Sequence, residues 1–207
     1  MSNLHDVIRQ RRSIRKYLPK EVPRRLVLEV LEAAGWAPSA HNSQPWRFII
    51  IEKPEVKEKL SKDLADAWAA DLLKEGSQVD PNLRRERELR FAKAPALILA
   101  CLTMEGLRKF PDAQRQGFER DLAVESLGAG LQNLLLAAHA AGLGACWFCA
   151  PAFAKEAVRK VLAIPTEVEP AALIILGYPS EAPKIPPRKT LGAYCFIDVW
   201  GKPLDEK

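Results

Sequence analysis

Arginine and serine side chains near the amino terminus have the chemistry of a phosphate site. Arg11, Arg12 and Arg15 surround Ser13. Guanidinium groups present planar forks of N–H donors that match phosphate oxygens, and the serine hydroxyl can donate one more hydrogen bond. The cluster therefore predicts a phosphate site, although a basic stretch of this length is also typical of the solvated end of a helix.

A polar loop about one helix further along the chain offers a second set of ligand-binding groups. Asn42 and Gln44 each carry both a donor and an acceptor, and they lie between Pro38 and Pro45, which favour extended backbone. Such a loop, held extended, would display its amides to a flat, hydrogen-bonding ring. Alone it could be an ordinary turn, but with the arginine cluster it predicts a site for a phosphate joined to such a ring.

Capping residues predict the elements that must position these side chains. Asn3 is a suitable cap for a helix that ends near Gln10. The arginine cluster then lies at the junction between this helix and an extended segment over residues 14–18. Pro23 is expected to begin a second helix and Gly35 to end it.

Hydrophobic periodicity predicts the remaining elements. Strands are predicted at 47–52, 96–103, 145–149 and 171–176, with a further strand-like segment at 194–200. Helices are predicted at 55–75, 83–92, 119–141 and 153–162, and a turn at 177–179, while residues 105–116 have no assignment. Because helices and strands interleave without regular βαβ repeats, we expect an α+β sandwich formed by one domain over residues 1–207.

Composition restricts the classes of function. Hydrophobic residues make up 48% of the 207 residues and charged residues 28%, as in soluble globular proteins. The net charge of +5 favours anionic ligands, but no basic stripe is interleaved with aromatic residues, so nucleic-acid binding is not expected. The alternating charges of residues 84–90 predict a solvated helix face.

Neither a membrane span nor a signal peptide is expected. The longest apolar run, residues 122–143, is interrupted by Glu125, Gln132, Asn133 and His139, which favours a buried helix over a transmembrane one. Residues 1–10 are polar and charged, so the expected location is the cytoplasm.

The cysteines and histidines do not form a recognisable reactive site. Cys101, Cys146, Cys149 and Cys195 have apolar, strand-like surroundings in the sequence, and we interpret them as structural thiols. The CxxC spacing of Cys146 and Cys149 lacks both a second pair for zinc and the sequence context of a thioredoxin. The three histidines lack metal-ligand spacing, and no nucleophile with a partnered base is evident. No metal site and no catalytic side chain are predicted, so the chemistry is expected to come from a cofactor.

The sequence resembles the nitroreductase family of flavoenzymes. The resemblance is carried by the arginine–serine cluster together with the segment PSAHNSQPWRF, and it continues through residues 127–147, 173–179 and the pair Arg188 and Lys189. Residues 118–148 are most similar to compact prokaryotic members, including the reductase domain that acts on the dehydro form of a deazaflavin coenzyme.

The resemblance implies a fold and a reaction. The fold would be a three-layer sandwich with a mostly antiparallel central sheet, in a homodimer that exchanges terminal segments and holds FMN at its interface. NADH or NADPH would deliver hydride through FMN to a small oxidised acceptor such as a nitroaromatic or a quinone. Alternatives on related scaffolds are reduction of a dehydro-deazaflavin precursor, oxygen-dependent flavin breakdown, and flavin binding or storage without turnover.

The resemblance also implies roles for individual residues near the phosphate. Arg11, Arg12 and Ser13 would bind the FMN phosphate, and Arg15 would lie toward the pyrimidine edge of the ring. From the tail of the chain, Arg188 or Lys189 would close over the phosphate.

Around the ring, the implied residues come from two subunits. Those contributed by the partner would be Pro38, Ser39, Ala40 and Asn42, with Gln44 supporting the loop. Backbone near Cys149 and Ala150 would donate an N–H toward the hydride-accepting nitrogen, although some relatives carry an acidic residue and a glycine there. His41 replaces a smaller hydroxyl residue and would either project into the pocket or fill it.

Overall fold

A four-stranded sheet, antiparallel throughout, forms the centre of the computed structural model, which describes residues 3–204. Its strands, in the spatial order β1-β2-β4-β3, are β1 (Trp46–Ile51), β2 (Ala96–Thr103), β3 (Gly144–Phe148) and β4 (Val168–Gly177). The sheet is flanked by helices on both faces, which confirms the predicted α+β sandwich.

Seven α-helices surround this sheet in the described residues. They are α1 (Leu4–Gln10), α2 (Arg24–Gly35), α3 (Pro54–Lys74), α4 (Pro81–Ala92), α5 (Ala113–Ala140), α6 (Ala150–Phe153) and α7 (Lys155–Leu162). Two short 3-10 turns cover Ala40–Asn42 and Leu191–Ala193. None of the helices in residues 3–204 has the length and apolar character needed to cross a lipid bilayer.

The two faces of the sheet bury separate apolar cores. Every residue of β2 is buried, and its side chains alternate between the faces. Ile98, Ala100 and Leu102 pack with α2 and α5, whereas Leu97 and Leu99 pack with α3 and α7. This continuous apolar strand is what a central, doubly covered strand requires.

The segment after α1 attaches the arginine cluster to one corner of the sheet. The Asn3 side chain caps α1 by accepting a hydrogen bond from the backbone N–H of His5, as predicted. Ser13 then pairs with Ala145 at the start of β3, and Tyr17 pairs with Pro179 just beyond β4. The cluster is therefore held beside the first residues of β3.

Two paired glycines allow this close approach. Gly144 and Gly177 lie opposite each other in the β3–β4 ladder. A Cβ atom on Gly144 would lie 2.8 Å from side-chain atoms of Ile14, and one on Gly177 would lie 2.6 Å from the ring of Tyr17. Both distances are shorter than van der Waals contact, so the segment can lie here only if these two positions lack side chains.

The remaining sequence predictions for the strands and helices are largely confirmed. Strand 96–103 has the predicted bounds, and the other three predicted strands are also present. Helix α5 begins at Ala113 rather than 119, because the Asp112 side chain caps it by accepting from the N–H of Arg115 at 2.9 Å. The predicted helix 153–162 is divided into α6 and α7 by Ala154, whose φ of −133° is not helical.

Two predictions for the second half of the chain are wrong. The strand-like segment at 194–200 is irregular, and it reverses direction through Asp198 and Gly201, which have φ of 63° and 87°. The predicted turn at 177–179 is extended backbone instead, because Gly177 ends β4 and Pro179 pairs with Tyr17.

The cysteine prediction holds for only two residues. Cys101 and Cys146 are buried in strands, but Cys149 is exposed and Cys195 is only half-buried in the irregular tail. All four are free thiols. Burial raises the pKa of the Cys101 thiol to about 11 and also raises that of Cys146, as expected for structural cysteines.

The contact at Gly144 can be tested by adding one methyl group. We expect Gly144→Ala to lower the free energy of unfolding by about 1–3 kcal/mol, because the new Cβ forces Ile14 away from the sheet. The matched control is Gly117→Ala in α5, where a Cβ meets no atom within 4 Å. Urea denaturation measures the free energy of unfolding of the native protein and of both variants. A Gly144→Ala variant as stable as the native protein would show that the segment does not need the space at Gly144.

Candidate functional site

Several guanidinium N–H groups at the sheet corner have no hydrogen-bond partner. The Nη1 atom of Arg12 donates to the carbonyl groups of Arg9 and Arg11, at 2.7 and 2.6 Å. In contrast, Nε of Arg11 and both Nε and Nη2 of Arg12 are buried and make no hydrogen bond in the described residues. Buried donors without partners are costly, so this corner presents a ready set of donors to an anion.

Other basic side chains share this corner. Burial lowers the pKa of Arg11, and the neighbouring charges of Arg12 and Arg188 lower it further. Burial, followed by Arg11 and Arg12, likewise lowers the pKa of His139 in the last turn of α5. Within residues 3–204, no carboxylate forms an ion pair with Arg11, Arg12 or Arg188. The charge of Arg188 thus acts on the predicted phosphate residue Arg11, although the side chains of Arg188 and Lys189 are both exposed.

Glu181 fixes the backbone beside the cluster. One of its carboxylate oxygens accepts hydrogen bonds from the backbone N–H groups of Arg15, at 2.7 Å, and Lys16, at 3.1 Å. Glu181 is not predictable from the sequence, because an isolated glutamate in a proline-rich tail carries no local signal for a partner so distant along the chain.

The loop over residues 38–44 is compact rather than extended. Ala40–Asn42 forms a 3-10 turn, and His41, Asn42 and Gln44 have left-handed φ values of 55°, 53° and 46°. The expectation that Pro38 and Pro45 hold the intervening backbone extended is therefore wrong. Proline restricts only its own φ and the preceding residue, which leaves the central residues free to turn.

Hydrogen bonds hold this compact loop in place. The hydroxyl of Ser39 accepts a hydrogen bond from the backbone N–H of Gln44 at 3.0 Å. The side-chain Nε2 of Gln44 donates to the side-chain Oδ1 of Asn42 at 3.4 Å. The N–H of Ala40 donates to the hydroxyl of Ser126 in α5 at 3.2 Å. Gln44 therefore makes two of the hydrogen bonds within the loop.

His41 is directed toward a buried carboxylate. Its Nε2 lies 3.4 Å from Oε1 of Glu119, which is only 5% exposed. The other oxygen of Glu119 accepts from the backbone N–H of Arg108 at 3.1 Å. Glu119 thus links the loop to the 105–112 turn, a role that no sequence pattern indicated.

The arginine cluster and this loop lie at diagonally opposite corners of the sheet. The loop precedes Trp46 in edge strand β1, whereas Ser13 pairs with Ala145 in the other edge strand, β3. The strand registers separate them by about 14 Å across the sheet and about 20 Å along it. The two segments cannot contact the same small ligand within one chain.

Helix α5 gives an independent measure of the same separation. The loop donates a hydrogen bond to Ser126, whereas burial and the charges of Arg11 and Arg12 lower the pKa of His139. These two residues of α5 are about 20 Å apart along the helix axis. Both measures agree that the cluster and the loop of one chain are two separate candidate half-sites.

Cys149 and Ala150 line a separate cavity. It has a volume of about 470 Å³ and lies between α3, α4, α6 and the end of β3. Ala145, beside the arginine cluster, and Phe148, in the cavity wall, are about 10 Å apart along β3. An elongated ligand could therefore place its anionic end at the cluster and its other end at this cavity.

Comparisons with known proteins show the family to which this chain belongs. The model of the nitroreductase family matches residues 8–178. An NADH dehydrogenase of Thermus thermophilus is 34% identical over 183 residues, which cover 83% of this chain and 84% of the relative.

Solved structures share the fold. A BluB-like flavoprotein of Clostridium difficile 630 superposes with a TM-score of 0.76 at 26% identity, over 94% of this chain and 98% of the other. A protein of Desulfovibrio desulfuricans solved in complex with FMN has a TM-score of 0.70 at 28% identity, over 93% and 95% of the two chains. The family match includes the arginine cluster, the 38–44 loop and all four strands, and this chain therefore belongs to the nitroreductase family, a family of oxidoreductases.

Proposed function

We propose that this protein is an FMN-dependent oxidoreductase that transfers hydride from NADH or NADPH to a small oxidised acceptor. The observation that carries the proposal is the set of buried, unpartnered guanidinium N–H groups of Arg11 and Arg12. Each buried donor without a partner costs about 1–3 kcal/mol, and a phosphate group supplies the missing acceptors. When bound, FMN accepts hydride from the nicotinamide and passes it to the acceptor.

The residues at the sheet corner fit the phosphate of such a cofactor. Arg11, Arg12 and Ser13 would hold it, and Arg188 would approach from the tail, with Lys189 available beside it. Arg15 would lie toward the pyrimidine edge, on backbone fixed by Glu181. A cation at that edge stabilises the negative charge of the reduced ring.

The ring would lie toward the end of β3. Cys149 and Ala150 follow this strand, and their backbone would donate an N–H toward the hydride-accepting nitrogen. The cavity beside them is large enough for a small acceptor. The chain's own contribution is therefore to bind the phosphate, orient the ring and admit the acceptor.

A second copy of the chain would complete each site. The half-sites lie too far apart within one chain, so Pro38, Ser39, Ala40 and Asn42 would line the ring bound by the partner subunit's cluster, with Gln44 supporting the loop. A homodimer with two-fold symmetry repeats this arrangement and forms two equivalent sites.

Exposed apolar side chains support this dimer. Trp36 is 82% exposed at the end of α2, and Trp200 is 91% exposed in the tail. The tail also exposes Ile185, Leu191 and Val199. A soluble protein rarely leaves so many large apolar residues in water, which favours a tail that packs on the neighbouring subunit.

Inorganic phosphate tests the anion site directly. In flavin-stripped protein, we expect phosphate to raise Tm by about 2–4 °C more than sodium chloride at equal ionic strength, because the unpartnered donors bind it. Arg11→Ala with Arg12→Ala should abolish this difference. The control, Arg24→Ala with Arg25→Ala, removes two exposed arginines that pair with Glu52 and Glu29, and it should keep the difference. An equal shift in both double variants would contradict the assignment.

The visible spectrum tests the cofactor and the reaction. We expect the purified protein to carry flavin whose absorbance bleaches on anaerobic addition of NADH or NADPH and returns with an oxidised acceptor. Arg11→Ala with Arg15→Ala should give a folded protein without flavin, whereas the Arg24 and Arg25 control keeps it. Full flavin occupancy in the first variant would refute the site assignment, and bound flavin that never bleaches would favour a storage role.

Mixing two defective variants tests whether the site spans two subunits. One carries Arg11→Ala with Arg12→Ala; the other carries Asn42→Gly, which removes the amide while tolerating the left-handed backbone. Each alone should bind little FMN. After unfolding and refolding together, heterodimers contain one intact site each, so about one quarter of all sites should recover flavin. No recovery in a mixture shown to form heterodimers would place each site within a single chain.

A further inference from the structure

Aromatic side chains and arginines line the cavity beside Cys149. Its walls include Trp68 from α3, Arg87 and Arg90 from α4, Phe148 from β3 and Phe153 from α6. The prediction that the charges of residues 84–90 form a solvated helix face is wrong for these two arginines, which line the cavity. The cavity has a volume of about 470 Å³, which is typical of pockets for small organic ligands.

Ring faces hold both guanidinium groups in this wall. Arg87 lies over the ring of Trp68, with Cζ 4.0 Å from the centroid, and Arg90 lies 5.4 Å from the centroid of Phe148. Phe148 is itself held edge-to-face against Phe91, with the ring centroids 5.2 Å apart. Stacking on an aromatic face orients a guanidinium group while leaving its N–H edge free to bind a ligand.

Arg87 differs from the other arginines of α4 because its charge is not neutralised by a contact. Arg84, Arg85 and Arg90 form ion pairs with carboxylates of α3 or α4. Within residues 3–204, Arg87 forms none, and its Nε is buried without a hydrogen-bond partner. Its position on the cavity therefore leaves a positive donor available to an incoming group.

The acidic residues of the cavity do not satisfy this charge. Asp71 pairs with Lys74 at 3.0 Å, and Glu75 is exposed. The charges that act on Arg87 are those of Arg90, which is repulsive, and Glu86, which already forms an ion pair with Arg90 at 2.9 Å. An anionic ligand would supply the acceptor that Arg87 lacks.

We propose that this cavity selects a planar aromatic acceptor that carries an anionic substituent, and that Arg87 is the specificity-determining residue. The inference rests on the proposed function, since Cys149 and Ala150 place the cavity beside the expected ring of FMN. The aromatic body packs between Phe148 and Phe153, and the anionic group accepts hydrogen bonds from the edge of Arg87. Arg87 does not take part in hydride transfer; it binds and orients the acceptor.

The pair 4-nitrobenzoate and 4-nitrobenzamide tests the inference, because the two compounds have nearly the same shape and differ in charge. FMN-loaded protein is reduced first, excess nicotinamide is removed, and reoxidation by each compound is followed by stopped flow. We expect a preference of about tenfold for the benzoate in the native protein, as for one hydrogen bond to a charged group. Arg87→Leu should remove this preference, so that the two compounds react about equally. Added salt should weaken the preference in the native protein.

The matched control is Arg85→Leu, which removes the same charge from the same helix but outside the cavity, and which should keep the preference. Arg87→Lys keeps the charge without the planar fork and should give an intermediate preference; it also serves if the leucine variant does not fold. Calorimetric titration of the oxidised protein with benzoate and benzamide measures the same preference without turnover.

The outcomes separate this inference from the proposed function. Protein that holds no flavin, or flavin that neither NADH nor NADPH bleaches, refutes the proposed function, and the titration then still reports whether Arg87 binds the anion. Normal bleaching with the same preference in native and Arg87→Leu protein refutes the inference alone. Arg87→Leu could instead lower kcat/KM for NADH or NADPH and leave the benzoate preference unchanged. That result would assign Arg87 to binding of the nicotinamide nucleotide and would also overturn the inference.

Discussion

The close packing of the Ser13–Tyr17 segment against one corner of the sheet is the constraint on which the site depends. Gly144 and Gly177 face each other there, and neither position has room for a side chain beside Ile14 or Tyr17. The backbone N–H of Ile14 then donates to the carbonyl of Ala145 at 3.0 Å. This contact holds Ser13 and the arginines on either side of it beside the first residues of β3.

Collecting positive charge at this corner opposes folding unless an anion is bound. Burial and like-charged neighbours both lower the pKa of Arg11, so the folded chain holds its proton less favourably than the unfolded chain does. The two apolar cores on either side of β2 stabilise the fold, and they offset the unfavourable free energy of this charged corner. A binding site that is costly when empty gains the most from its ligand, and this supports the proposed phosphate site at the unpartnered donors.

Signals within a few residues allowed much of the fold to be predicted, and contacts between distant residues account for most of the errors. The cap at Asn3 and the apolar run of β2 are local, and both are confirmed. The tail at 194–200 has the composition of a strand, but a strand also needs a neighbour to pair with, and composition cannot supply one. Glu119 and Glu181 could not be predicted as partners of His41 and Arg15, since each lies far along the chain. The site residues themselves were chosen by chemical type and by resemblance, and the sequence could not show that the cluster and the loop of one chain lie at opposite corners of the sheet.

The positions of the two groups of arginines are related through β3. The arginine cluster lies beside Ala145 and the cavity lies beside Phe148, so the two ends of this short strand would meet the two ends of the proposed elongated ligand. Along α4, carboxylates of α3 and α4 neutralise the neighbouring arginines and leave Arg87 without an ion pair in the described residues. In the sequence, the alternating charges of residues 84–90 are typical of a solvated helix face. In the structure they also leave the guanidinium group of Arg87 available at the cavity, where an acceptor would meet the ring.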